Sequence, residues 1–422
     1  MENERFARLG KSTMRHLAME ARETLQRLAD FPDNPAAMSL FYQFFSALFT
    51  GNHSLPEAKP IIGVMCAQAP LELIHAAGAT PLRLCSGAYA YEQAGAEFMP
   101  AKSCPLVKAT VGMLHVNRAL WGDALKSVVI PTTCDQKKKS VDFLTDMGFP
   151  VYALEMPPAK ESDVARFYWQ ESVKQFALDL GGITGRKITR QSMRAGIGKV
   201  QQGSWLFRKL HELRRTDPPL LLGKDAMLVT NGWFLMEHDS WCAAVTQLIA
   251  ELEQRRKNAM PAGKRLAPRL LLTGSPPVFP NLKVPLLVEQ AGAVIVTDEV
   301  CSSSRLLYDA VSYDEGTLDE MVGAVADRSL KPCTCPCLTA NRDRLRKIME
   351  LTEKFAVDGV VYHALAGCLP YEMEQRQVGK ALSAAGIPML YLETDYSPED
   401  LGQLSTRIEA FIESIKARKR RK

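Results

Sequence analysis

Two copies of a parallel-sheet domain, joined in an α/β fold, are what the sequence predicts, and three observations predict them. Short apolar runs end in small-residue loops and give way to helical stretches, the rhythm of strand–helix–strand units. Four landmarks recur in the same order in the two halves of the chain. At 422 residues the chain is also too long for a single hydrophobic core.

The elements follow in order. From Glu4 to about Leu28, the positions Phe6, Leu9, Met14, Leu17, Ala21, Leu25 and Leu28 keep helical spacing. PDNP at 32–35 ends that helix. MSLFYQFFSALFTG at 38–51 is apolar but short for a membrane span and is expected as a buried helix. After GNHSLP the character changes. PIIGVMCAQAP at 60–70 is a strand meeting a small-residue loop, and LELIHAAGATPLRL at 71–84 is a helix, a glycine stop and a second strand. KSVVIPTTC at 126–134 and MGFPVYALEMPP at 147–158 supply two more strands. Residues 160–265 read mostly as helices. Beyond PAGKRLAPR the strand rhythm returns and repeats itself.

RLLLTGSPPVF at 269–279 answers PIIGVMCAQAP, and LLVEQAGAVIV at 286–296 answers LELIHAAGATPLRL around Gly292 and Gly78. DGVVYHALAGC, ending at Cys368, answers KSVVIPTTC, ending at Cys134, while AGIPMLYLETD answers MGFPVYALEMP with Pro388 matching Pro150. The expected division is an N-terminal helical segment (1–54), an α/β domain (55–160), a helical middle region (161–265) and a second α/β domain (266–422). The two α/β domains are expected as duplicated Rossmann-like parallel sheets facing one another.

Hydrophobic residues at 46% and charged residues at 23% exclude a disordered or fibrous chain. The net charge of +5 owes part of its excess to KARKRRK at 416–422, expected as a solvated, frayed end rather than a nucleic-acid contact. The N-terminus mixes acids and bases and carries no secretory run, so a cytoplasmic protein is expected, with neither a membrane nor a nucleic-acid partner. Ten cysteines in such a chain are not a disulfide framework, which leaves metal binding or reactive chemistry beside plain packing.

In open parallel sheets ligands bind beyond the carboxyl ends of the strands. Cys66 follows the first strand and Cys134 the third, while Cys104 lies between them ahead of a helix. In the second half Cys301 and Cys368 follow strands, and CTCPC, with Cys333, Cys335 and Cys337, takes the place of Cys104. Cys337, directly before LTANRDR, is favoured for the middle role, with Cys333 and Cys335 as lesser candidates. Each domain can thus offer three thiolates to one spot. Soft sulfur donors select iron–sulfur clusters, zinc or copper; three ligands on a four-iron cube leave one iron free. Zinc is less favoured because two C-x2-C pairs are lacking. Cys85 and Cys242, in apolar surroundings, are expected as core.

GGITGRKIT at 181–189 and AGIGKVQQG at 195–203 lack nucleotide-binding spacing, so their glycines are expected in turns and the chain is not expected to bind ATP itself. DQKKK at 135–139 is expected either beside an anionic group or on a solvated helix face. His363 and Glu372 flank Cys368 as candidate proton carriers, against the plainer reading of a satisfied core histidine.

GVMCAQAPLELIHAAGATPLRLC, PAKSCPLVK, TTCDQKKK, DGVVYHALAGCLPYEMEQ and GIPMLYLETDYSPEDLGQLSTRIEAF together resemble the 2-hydroxyacyl-CoA dehydratase component D and benzoyl-CoA reductase superfamily. The resemblance runs from about residue 55 to the end and is greatest to its double-cubane cluster proteins. It implies an ATP-dependent iron–sulfur oxidoreductase component, a homodimer, reducing a small-molecule substrate with electrons from an ATP-hydrolysing activator that carries its own [4Fe-4S] cluster. It implies an [8Fe-9S] double cubane, with Cys66, Cys104 and Cys134 on one cube and Cys301, Cys337 and Cys368 on the other. CTCPCLTAN departs from the C-x-C and TPN pattern of the relatives, which bears on the middle ligand. The alternative within the superfamily is a 2-hydroxyacyl-CoA dehydratase subunit, a lyase with one [4Fe-4S] cluster; outside it stands a non-catalytic cluster carrier.

Overall fold

The computed structural model describes residues 2–51 and 59–421. The expected boundary between residues 54 and 55, most of GNHSLP and the final Lys422 lie outside the described residues.

Two four-stranded parallel sheets carry the architecture. In the first, β1 (Ile61–Val64), β2 (Thr80–Arg83), β3 (Leu125–Pro131) and β4 (Val151–Leu154) lie in the order β2-β1-β3-β4. In the second, β5 (Arg269–Gly274), β6 (Val294–Glu299), β7 (Gly359–Leu365) and β8 (Met389–Thr394) lie in the order β6-β5-β7-β8. The same order in both sheets is the structural form of the repeated landmarks, and the duplicated α/β fold is as expected. The central strands are mostly apolar because helices cover both faces: β1, β5 and β7 are buried at every position and β3 at all but Lys126, whereas the edge strands β4 and β8 are partly exposed. Gly63 sits in β1 because a Cβ there would stand 2.4 Å from Leu84 Cδ1.

Four long helices, Asp163–Thr184, Arg190–Leu213, Gly223–Gly232 and His238–Lys257, form the region between the sheets in sequence. The run AGIGKVQQG lies inside helix Arg190–Leu213, where Gly196 lets the helix approach the Glu72 carbonyl; a Cβ there would be 2.3 Å from that oxygen. GGITGRKIT closes the preceding helix, with Gly185 as a left-handed C-cap at φ 69°. The N-terminal helix, Glu2–Ala29, buries Leu17, Ala21, Leu25 and Leu28. Helix Met38–Phe49 buries Met38, Phe41 and Phe45, the last 4.6 Å from Phe279 between ring centroids.

The basic tail is exposed over residues 417–420, as expected, but it is not frayed. It is helical as part of Leu401–Arg421, and Lys419 pairs with Asp358 at 2.8 Å while Arg418 donates to the Gly386 carbonyl. Leu404, Ile408, Ile412 and Ile415 explain this: they form one buried helical face against the second sheet, which carries the charged end along. Among the described residues no helix is long and apolar enough to cross a membrane.

Candidate functional site

The carboxyl ends of the two sheets face a common seam, and the cysteines line it. Cys66 lies just past β1, and Cys134 leaves β3 as the N-cap of helix Asp135–Asp146. Cys104 is the N-cap of helix Pro105–Val116, and Cys368 that of helix Leu369–Ala384. Cys301 follows β6, and Cys333, Cys335 and Cys337 occupy the loop between helices Leu318–Leu330 and Arg342–Lys354. Three of these thiols therefore sit at helix N-termini, where the backbone dipole favours a thiolate.

Contacts cross between the halves. The thiol of Cys104 is hydrogen-bonded to that of Cys368, and Cys134 to Cys337, which also engages Cys335. Gln68 Nε2 donates to Cys333 Sγ at 2.7 Å, and Arg83 donates to the Cys301 carbonyl at 3.1 Å with its other terminal nitrogen 3.7 Å from Cys301 Sγ. Gln136 ties the two sides at the backbone: its Oε1 accepts from Cys104 N at 2.7 Å and its Nε2 donates to the Gly367 carbonyl at 2.9 Å. Gly367 is required at φ 78°, where a Cβ would also meet the Lys102 carbonyl at 2.4 Å.

Each close thiol pair favours one thiolate. Hydrogen bonding from Cys337 brings Cys134 down to about 5 against the cost of burial, with Lys137 assisting. Cys335 is brought down to about 6 by its own bond to Cys337, and Cys368 lowers Cys104. The partner thiols Cys337 and Cys368 are raised by the same hydrogen bonds, and burial raises Cys333.

All six singled-out cysteines reach this seam. DQKKK divides: Lys138 and Lys139 lie in solvent against Asp135 and Asp142, whereas half-buried Lys137 faces Cys66, Cys85, Cys134 and Cys301. Cys85 is buried, as expected of core, yet its thiol donates to the Met65 carbonyl at 3.4 Å and borders Arg83 in the seam, so it is not mere filler. Cys242 is remote, 3.6 Å from His238 Nε2, and burial pushes it up to about 11. His363 is a satisfied core residue: its Nδ1 lies 3.0 Å from the Ser275 carbonyl, and burial lowers it to about 4. Glu372 accepts from Gly367 N at 2.6 Å and so shapes the turn before Cys368.

Several residues at the seam escaped the sequence reading. Glu299, buried at the end of β6, meets Arg305 at 2.5 Å, pairs with Arg344 and accepts from Thr334 at 2.5 Å. Burial works against its charge, and the two guanidinium groups overcome it, holding the carboxyl down at about 2. Arg305 also donates to Tyr371 Oη at 2.7 Å, and Arg344 to Glu374 at 2.6 Å. Lys160 anchors the CTCPC loop through the carbonyls of Lys331 and Cys333 and the Asp343 carboxylate, each at 2.8 Å. The available signal was charge inside apolar runs, as in TPLRLC and IVTDEV; their partners lie far away in sequence.

Among the described residues no group of three or more His, Cys, Asp or Glu side chains is arranged to hold a single metal ion. The seam nevertheless fits a larger sulfur-bound anionic group. Its donors are soft thiols, and Arg83 and Lys137 meet no carboxylate among the described residues. Gln68 Oε1, Arg83 Nε, Ser302 Oγ and Tyr396 Oη are buried there without a hydrogen-bond partner among the described residues.

Comparison with known proteins agrees with this geometry. The sequence profile of the family described as 2-hydroxyglutaryl-CoA dehydratase, D-component, matches residues 66–415. The protein named "Putative dehydratase subunit YjiM" from Escherichia coli (strain K12) is 29% identical over 385 residues, covering 89% of this chain and 98% of that protein. The beta subunit of (R)-2-hydroxyglutaryl-CoA dehydratase from Acidaminococcus fermentans is 25% identical, covering 85% of this chain and 93% of its own length. A subunit of benzoyl-CoA reductase from Thauera aromatica is 24% identical over 87% of this chain and 95% of its own length.

Proposed function

The chain belongs to the 2-hydroxyglutaryl-CoA dehydratase D-component family, and from that premise we propose that it is an ATP-dependent iron–sulfur reductase component carrying an [8Fe-9S] double cubane. Members of the family are dehydratase or reductase subunits that work with iron–sulfur clusters and an ATP-dependent activator. The observation that carries the finer reading is that one chain brings two cysteine triads to a single seam, each triad drawn from two strand ends and one loop ahead of a helix in one of two like domains.

In this reading Cys66, Cys104 and Cys134 of the 55–160 domain would hold one cube. Cys301, Cys337 and Cys368 of the 266–422 domain would hold the other. Cys337 keeps the middle role because it engages Cys134 across the seam, while Cys335 engages Cys337 itself and Cys333 is held by Gln68. When bound, such a group supplies electrons singly at very low potential. The chain's own residues prepare the place: three helix N-termini and two cations favour negative charge, Gln136 fixes the approach of the halves, and Lys160 holds the CTCPC loop. The activator, a small-molecule substrate, a homodimer and a cytoplasmic setting belong to the same proposal.

The test is anaerobic purification with iron and acid-labile sulfide analysis. About eight iron atoms per chain are expected for the double cubane. About four would favour the second reading, a 2-hydroxyacyl-CoA dehydratase subunit with a [4Fe-4S] cluster, which the names of two of the relatives support. ATP-dependent electron transfer from an activator is expected for both and not for a passive cluster carrier.

A further inference from the structure

Arg83 is a buried cation without an anion. It lies at the end of β2, 6% exposed, and no carboxylate pairs with it among the described residues. Its guanidinium stacks on Phe234 at 4.3 Å, two of its nitrogens turn to Cys301, and Nε has no hydrogen-bond partner among the described residues. Tyr396, just beyond β8 of the other sheet, is 5% exposed and packs in one apolar cluster with Cys85 and Cys104. Its hydroxyl also lacks a partner among the described residues, and its charged surroundings are Cys104, Cys85, Glu92 and Arg83. Most buried donors in folded proteins are paired, and a bound group is one of the things an unpaired donor serves. These two, from opposite halves, border the same thiol, Cys85, within the seam.

We propose that Arg83 and Tyr396 are positioning residues for the sulfur-bound anionic group of the seam, donating charge and hydrogen bonds to it from either side and holding its reduction potential up. This rests on the cluster reading above and adds to it which residues set the potential. Reduction adds negative charge to the group, so a fixed cation and hydrogen-bond donors stabilise the reduced form more than the oxidised one. Lys137, facing four of the cysteines, adds to the same field. Arg305 adds less, because Glu299 already neutralises it.

The test uses full-length protein, loaded with iron and sulfide anaerobically, as wild type, Arg83→Met, Arg83→Lys and Tyr396→Phe. Iron and sulfide content, the midpoint potential from a mediated redox titration followed by electron paramagnetic resonance, and the heat stability of the iron-free forms are measured. Arg83→Met and Tyr396→Phe are expected to load as wild type does and to shift the one-electron equilibrium about tenfold toward the oxidised form, equivalent to about 59 mV. Arg83→Lys should recover part of that shift. Iron-free Arg83→Met should be at least as heat-stable as iron-free wild type, since it loses an uncompensated buried charge. Tyr396→Phe removes one oxygen and carries the test if Arg83→Met fails to fold. Normal loading with unmoved potentials overturns this proposal and leaves the cluster reading standing. A wild type that takes up neither iron nor sulfide overturns both.

Discussion

Glu299 and Arg344 are each at most 1% exposed, so at the scale of single residues the strongest requirement in the chain is that this charge stays matched. A buried ion pair adds little over apolar packing, but removing one partner strands the other, at about 3–5 kcal/mol. Glu299→Gln is therefore expected to lower the unfolding free energy of the iron-free protein by that amount in urea denaturation. Thr334→Val, which removes only one hydrogen bond to the carboxylate, is expected to cost about 1.5–3 kcal/mol. Equal and small losses would mean that the network is not holding the loop after β6. The cysteines were legible at this scale because each follows a recognisable strand end or stands just ahead of a recognisable helix. Glu299 and Arg305 were not, since Arg344 and Tyr371, which complete their network, stand some 40 to 70 residues further along the chain.

At the scale of elements, helix Tyr89–Ala96 crosses helix Pro105–Val116 at backbone contact, and this crossing sets where Cys104 emerges. A Cβ on Gly112 would lie 2.0 Å from the Tyr91 carbonyl oxygen, and one on Gly95 would lie 1.9 Å from that of Lys108. Gly112→Ala must push the helices apart, so a loss of about 1–3 kcal/mol is expected together with lower iron uptake. Normal uptake would show that Cys104 is placed by its own loop. The N-terminal helix joins the same structure through Glu20, which accepts from Tyr89 N at 2.9 Å and Ala90 N at 2.7 Å. Burial pushes its carboxyl from 4.5 up to about 7. A raised carboxyl binds its proton more tightly folded than unfolded, so its contribution is full below pH 4.5 and falls as the pH climbs to about 7, by roughly 3 kcal/mol. The difference in unfolding free energy between wild type and Glu20→Gln should decline by up to that amount across this interval; a flat difference would refute it. Periodicity announced the N-terminal helix and the strands. It could not announce the helical tail, where dense charge hides Ile408, Ile412 and Ile415.

At the scale of the molecule, the duplication places two sheets so that their strand ends share one seam, and the two triads interleave there rather than standing apart. Cys104 belongs to the first half and touches Cys368 of the second; Cys134 likewise touches Cys337. Four matched landmarks made the two copies legible, but how the copies meet depends on cross-half contacts such as Gln136 to Gly367 and Arg83 to Cys301, which no local pattern encodes. The interleaving has a direct chemical signature. In iron-free protein treated briefly with diamide, each thiol pair gives up two protons and two electrons to the azo bond, and the disulfide formed records which sulfurs were adjacent. Peptide mapping under non-reducing conditions is expected to find Cys104 joined to Cys368 and Cys134 to Cys337, both linking one half to the other. Prior loading with iron and sulfide should protect all four from the oxidant, because thiolates bound to metal are not free to attack. Disulfides confined within Cys66, Cys104 and Cys134, or within Cys301, Cys337 and Cys368, would instead mean that the halves hold their thiols apart, and the shared seam would have to be given up.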